Sequence, residues 1–195
     1  MSATVEQPIS YRGVHHLAMV CRDMQRTVDF YTNVMDMRLT KGFDLGGGMG
    51  QHFFFDMGGG NELAFFWFRD APPQAPGIAS AASLVQRGTI VSAHGSMNHV
   101  ALHCDPDKID SYRARLIARG VDCTEIVNHA DVETKKGVNR TTKGQDEKTW
   151  LRSFYFFDPD GIMLEFCATV NKGSPDVDLP VNAEGVKADG SRLDE

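Results

Sequence analysis

The chain has 195 residues, 42% of them hydrophobic, with 20 Lys plus Arg against 26 Asp plus Glu, a formal charge of −6. That length suits one domain, or two small halves sharing a core. The acidic balance lacks the clustered Lys/Arg of a phosphate footprint, so no nucleic-acid partner is expected. The longest apolar runs, Phe53–Phe55 and Leu63–Phe68, fall far short of the about 18 residues that span a bilayer, so no membrane partner is expected either.

Met1 to Ser10 form a flexible N-terminus with neither a basic start nor an apolar stretch, which points to a cytoplasmic protein. The first strand lies in Gly13-Val-His-His-Leu-Ala-Met-Val-Cys-Arg-Asp23. A helix follows, with Met24, Thr27, Val28, Tyr31, Val34 and Met35 on one stripe and Asp23 as its N-cap. Strands over Arg38–Asp44, Gly50–Met57 and Glu62–Phe68, separated by glycine clusters, complete a first module over residues 11–69. Residues 70–95, with Pro72, Pro73 and Pro76 among Ala and Ser, read as a surface linker.

The second module, residues 96–170, repeats the first. At an offset of 83 residues His16 falls on His99, Ala18 on Ala101 and Cys21 on Cys104. A helix with Ile109, Tyr112, Leu116 and Ile117 on its stripe opens at Asp105-Pro106-Asp107 and closes at Gly120, a left-handed cap. Strands follow over Asp122–Asn128, Leu151–Phe157 and Ile162–Thr169, the last two joined by the turn Asp158-Pro-Asp-Gly161. Each half therefore reads β-α-β-β-β. The polar stretch His129–Lys148 is extra in the second half, either a solvated hairpin excursion or a lid. Residues 171–195 form a polar tail without periodicity. Cys21, Cys104, Cys123 and Cys167 lack CxxC spacing and sit among apolar neighbours, as buried thiols rather than a disulfide framework.

Strand side chains alternate faces, so His16 shares a face with Ala18 and Val20, and His99 with Ala101 and His103. If the helices cover the opposite faces, both histidines look to the other side. The last strand of each module adds a carboxylate, Glu62 and Glu165. A glutamate inside Ile162-Met-Leu-Glu-Phe166 meets a large desolvation cost without a partner, and a divalent cation between it and two imidazoles would supply one. Taken singly, either histidine is more often a hydrogen-bonded structural residue, and Glu62 can equally be a strand-edge charge; the recurrence in two modules favours the metal. His15 is assigned to the other side as a non-ligand, His103 is a neighbour on the metal side, and His52, His94 and His129 default to the surface.

The segments Gly13-Val-His-His-Leu-Ala-Met, Thr27-Val-Asp-Phe-Tyr31, Asn98-His-Val-Ala-Leu and Phe156-Phe-Asp-Pro-Asp-Gly-Ile-Met-Leu-Glu-Phe166 resemble the vicinal oxygen chelate superfamily. That superfamily includes glyoxalase I, extradiol dioxygenases, and bleomycin- and fosfomycin-resistance proteins. The resemblance covers Tyr11 to Thr169 and implies an α+β fold of two βαβββ modules forming a cupped mixed sheet around a metal. It maps metal ligands onto His16, His99 and Glu165, with Glu62 matching the fourth ligand of glyoxalase-like members. Asp36 stands where the helix-ending glycine is usual, and Asp tolerates the left-handed region.

The implied chemistry is chelation of a small substrate through two adjacent oxygens. A ring-cleaving dioxygenase of an aromatic diol would use Fe(II) or Mn(II), with Tyr155 donating to a substrate oxygen. The histidine usual several residues before it is absent, leaving His103 or His129 to move protons. A glyoxalase-type isomerase would use Zn(II) or Ni(II), four ligands, and Glu62 as base. A third reading is a metal-free module that sequesters an aromatic compound among Phe53–Phe55, Phe65, Phe66 and Trp67. The resemblance also implies a homodimer.

Overall fold

The computed structural model describes residues 10–131, 139–142, 144–171, 182–184, 186–187 and 190. Two compact units divide between Gln74 and Ala75. Residues 1–9 of the N-terminal stretch and most of the tail lie outside the described residues.

The first unit runs β1 (His16–Cys21), α1 (Met24–Asp29), β2 (Arg38–Asp44), β3 (Gly50–Gly58) and β4 (Asn61–Phe68), in sheet order β1-β4-β3-β2. β1 pairs with β4 in parallel and the other pairs are antiparallel, a mixed sheet. Asp23 caps α1 as expected, its side chain accepting from the Arg26 N–H at 3.1 Å. The α-helix is shorter than the apolar stripe suggests, because Phe30–Val34 widens into a π-helical turn. Asp36 then turns the chain in the left-handed region at φ 57°. The helix side of the sheet buries Met19, Phe55, Leu63 and Phe65, with Tyr31 ring centroids 5.4 Å from Phe55 and 4.8 Å from Phe65.

The second unit runs β5 (Val100–His103), α2 (Ile109–Ala118), β6 (Val127–Asp131), β7 (Asn139–Thr142), β8 (Thr149–Phe157) and β9 (Met163–Thr169). Its order, β5-β9-β8-β6-β7, repeats the first unit with one strand added at the edge. Each unit is thus a βαβββ module, and the duplication read in the sequence is present in the topology. The added strand β7 pairs with β6 inside the stretch predicted as a hairpin or a lid. Residues 132–138 and 143 of that stretch lie outside the described residues.

Phe154, Phe156 and Phe166 stack on the helix side of this sheet, and Tyr112 of α2 packs on Phe166 at 5.5 Å. Ile117 lies off the buried stripe and is 45% exposed. β6 begins at Val127 rather than Asp122, because the backbone before it is held by side chains: Arg113 Nε donates to the Thr124 carbonyl at 2.6 Å. The predicted turn at Asp158 forms, the carboxylate accepting from the N–H groups of Asp160 and Ile162.

Residues 75–95 are largely exposed, as their composition suggests, but three of them are buried. Ala81 and Leu84 are buried against Val127, Tyr155 and Met163, on the side of the second sheet opposite α2. Arg87 fastens the segment, donating to Asp122 at 2.6 Å and to the Cys123 carbonyl at 2.7 Å. We call this segment the strap. All four cysteines are free, Cys21, Cys104 and Cys123 buried and Cys167 half-buried. No helix among the described residues is long and apolar enough to cross a membrane.

Candidate metal centre

In the second unit Glu165 lies on β9 beside Tyr155 of β8 and Ala101 of β5, all on the side away from α2. Period-2 alternation puts it there: Leu164 and Phe166 face the helix, so Glu165 must face the other way. Its residue surface is 4% exposed, and His99, immediately before β5, brings Nε2 to 3.1 Å from Oε2. Burial opposes ionisation of this carboxyl. Hydrogen bonds from His99, Ser153 and Tyr155 outweigh that cost and hold it below the usual carboxylate range.

Tyr155, expected from the sequence to donate to a substrate oxygen, pairs with Glu165 across the β8–β9 ladder. Its ring meets that of His99 edge-on at 5.7 Å, and its hydroxyl is 3.4 Å from Ser153 Oγ. Burial pushes the phenol well above its ordinary value, with Glu165 adding to the rise against the Ser153 hydrogen bond. The group is therefore a hydrogen-bond donor at neutral pH, not a base. His103 sits exposed at the end of β5, opposite Cys167. His129 is half-buried rather than on the surface, with Nε2 3.4 Å from Ser153 Oγ, and burial lowers its pKa.

In the first unit His16 and Glu62 are direct partners across the β1–β4 ladder, on the side away from α1. His16 is exposed and Glu62 half-buried. Thr40 Oγ1 lies 2.6 Å from Glu62 Oε1 and 3.1 Å from the Phe54 carbonyl, so one hydroxyl proton serves two acceptors. His15 and His16 share a proton between their Nδ1 atoms at 2.9 Å, which leaves His16 Nε2 for another partner.

The aromatic residues divide between the two sides of this sheet. Phe53, Phe55, Phe65 and Trp67 alternate onto the helix side, so they cannot line a pocket with Phe54 and Phe66. Only Phe54 and Phe66 of the predicted lining share the side of His16. His52 joins them. Expected on the surface, it is 6% exposed, its ring stacked on Phe66 at 3.6 Å and its Nδ1 3.2 Å from the Phe65 carbonyl. Phe43, 41% exposed, closes this platform against His52 at 5.6 Å. Its place two residues before Phe54, on the same strand face, was the signal for His52, outweighed by the polar identity of the residue.

Among the described residues no three His, Cys, Asp or Glu side chains cluster as a metal site. The donors come as pairs, His16 with Glu62 and His99 with Glu165. The second pair fits a divalent cation: two adjacent ligands on an octahedral ion with bonds of about 2.1 Å stand about 3 Å apart, as His99 Nε2 and Glu165 Oε2 do. Imidazole nitrogen with carboxylate oxygen suits Fe, Mn, Zn and Ni alike.

The Glyoxalase/Bleomycin resistance protein/Dioxygenase superfamily profile matches residues 13–166, and the chain belongs to that superfamily. Its fold is shared with solved structures of low identity. SMU.1112c is 22% identical with a TM-score of 0.54, the match covering 81% of this chain and 99% of that one. A glyoxalase family protein from Enterococcus faecalis is 20% identical, TM-score 0.54, with 80% and 98% covered. The fosfomycin resistance protein FosX from Listeria monocytogenes is 17% identical, TM-score 0.50, with 83% and 96% covered. No curated protein matches the chain.

Proposed function

We propose that this chain is a metal-dependent enzyme acting on a small substrate with two adjacent oxygens, and specifically a ring-cleaving dioxygenase of an aromatic diol. His99 and Glu165 are the proposed ligands in the second unit, and the superfamily resemblance implies His16 as a third. The observation that carries the reading is the buried Glu165 carboxylate, 3.1 Å from His99 Nε2 and beside the Tyr155 phenol. A divalent cation held there, Fe(II) or Mn(II) for this reaction, supplies charge stabilisation to a catecholate oxygen. Tyr155, kept protonated by burial, donates a hydrogen bond to one substrate oxygen. His129, its imidazole held neutral by the same burial, accepts the proton of a diol hydroxyl in preference to exposed His103. Phe43, Phe54 and Phe66 with His52 form an aromatic cluster that an aromatic ring could pack on, on the side of the sheet that carries His16.

A second reading draws support from Glu62. Its contact with Thr40 engages one carboxylate oxygen and leaves the other as a fourth ligand or a base, as a glyoxalase-type isomerase on Zn(II) or Ni(II) requires. A fourth protein ligand takes a coordination position that oxygen chemistry needs, so the two readings exclude each other.

Metal analysis of anaerobically purified protein, followed by catechol addition and an oxygen electrode, separates them. Iron or manganese with oxygen uptake is expected. Zinc or nickel, no oxygen uptake and turnover of a hemithioacetal would transfer the assignment to the isomerase. Protein without metal that binds an aromatic compound tightly would make the chain a sequestering module. The superfamily resemblance further suggests a homodimer, measured by sedimentation.

A further inference from the structure

We infer that Asn98 is a positioning residue that engages Nδ1 of His99 and leaves Nε2 as the nitrogen on the metal side, and that the strap is what holds Asn98 in place. The Asn98 amide is oriented without ambiguity. Its Nδ2 is 2.6 Å from the Ile90 carbonyl and 3.1 Å from Ser92 Oγ. A carbonyl only accepts, so the NH2 group must point at the strap, and Oδ1 is left to point the other way. That oxygen lies 2.9 Å from His99 Nδ1. Because Oδ1 also only accepts, His99 Nδ1 must carry the hydrogen between them. The other ring nitrogen, Nε2, meets the Glu165 carboxylate at 3.1 Å, so Asn98 engages Nδ1 and leaves Nε2 as the nitrogen on the metal side.

Fixed polarities thus link a backbone carbonyl to an amide and the amide to an imidazole. An imidazole can hold its hydrogen on either nitrogen in water, so a ligating histidine gains affinity when an outer partner selects one form and one ring angle. Here that partner is the preceding residue, and its own clamp comes from a segment that otherwise reads as a linker. Ile90 and Ser92 belong to the same strap that Arg87 fastens to Asp122 and Cys123 and that Leu84 anchors beside Tyr155. The strap thus reaches the pair twice, once by packing on Tyr155 and once by orienting His99 through Asn98.

This inference rests on the metal reading for its purpose but not for its geometry, and its test separates the two. Proteins labelled with 15N-histidine are examined by NMR without metal and then titrated with Zn(II) alone as the probe. In the wild type Nδ1 of His99 is expected to carry a hydrogen before and after Zn(II), with Nε2 alone responding to the metal. Asn98→Ala is expected to release Nδ1 from its hydrogen bond, changing the Nδ1 signal while Nε2 still faces Glu165, and to weaken Zn(II) binding by about 10- to 100-fold. Ser92→Ala, which leaves the Ile90 contact, is expected to keep the Nδ1 form. Far-UV circular dichroism confirms that each variant is folded. A His99 ring unchanged in Asn98→Ala overturns the inference. A wild type with the Nδ1 form but no response to Zn(II) overturns the metal reading and upholds the role of Asn98.

Discussion

Glu165 gathers His99, Ser153 and Tyr155 around one buried carboxylate, so its removal strands three donors rather than one. Glu165→Leu is expected to cost about 2–3 kcal/mol in urea unfolding, because unpartnered buried donors lose their water without compensation. A variant as stable as the wild type would show these groups satisfied elsewhere. Cys104, Cys123 and Cys167 make a pH prediction with a definite sign. Burial is the main cause that pushes each thiol from 9.0 up to about 11. The folded state therefore keeps these protons at a pH where the unfolded chain has lost them. Their stabilisation is complete below about pH 9 and is lost as pH rises from there through about 11. Urea midpoints at pH 8 and pH 10.5 should fall accordingly, and the folded protein should react slowly with a disulfide reagent at pH 8.

At the scale of elements, the β3–β4 ladder depends on Gly50. A Cβ there would sit 1.8 Å from the Trp67 carbonyl oxygen, a backbone atom that cannot swing aside. Gly50→Ala is expected to destabilise by about 3 kcal/mol, read as a lower urea midpoint. Both sheets show how alternation sorts chemistry from packing. In β1 the exposed positions are His16, Ala18 and Val20 while Met19 and Cys21 are buried, and β5 alternates in the same way. That pattern was legible in the residues themselves, as were the capping Asp23 and the Asp158 turn. The π-helical turn at Phe30 was not, since a stripe of period 3.6 scarcely differs from a slightly widened one over five residues. The late start of β6 was not either, because side chains from α2 and the strap hold the backbone of residues 122–124.

For the whole molecule, a ligand that binds only the folded state raises stability by about 2.7 kcal/mol at 100 times its dissociation constant. At about 2–4 °C per kcal/mol for a chain of this length, a saturating divalent metal should raise Tm by about 5–10 °C, and a chelator should reverse it. His99→Ala should abolish the shift. A wild-type melting curve indifferent to Mn(II), Fe(II), Zn(II) and Ni(II) would remove the metal from the proposed function.

Duplication, strand faces and the recurrence of a histidine and a glutamate in each half were written in the order of residues, because they follow from short-range periodicity and from comparing the chain with itself. What the strap does was not. Its prolines and alanines carry no period, and only the packing of Leu84 on Tyr155 and the bond from Asn98 to the Ile90 carbonyl turn that segment into part of a site. The same holds for His52, whose burial depends on Phe66 of the neighbouring strand. Local chemistry fixes which way a side chain leaves the backbone; which partner waits there is decided by segments distant in sequence, and only folding brings them together.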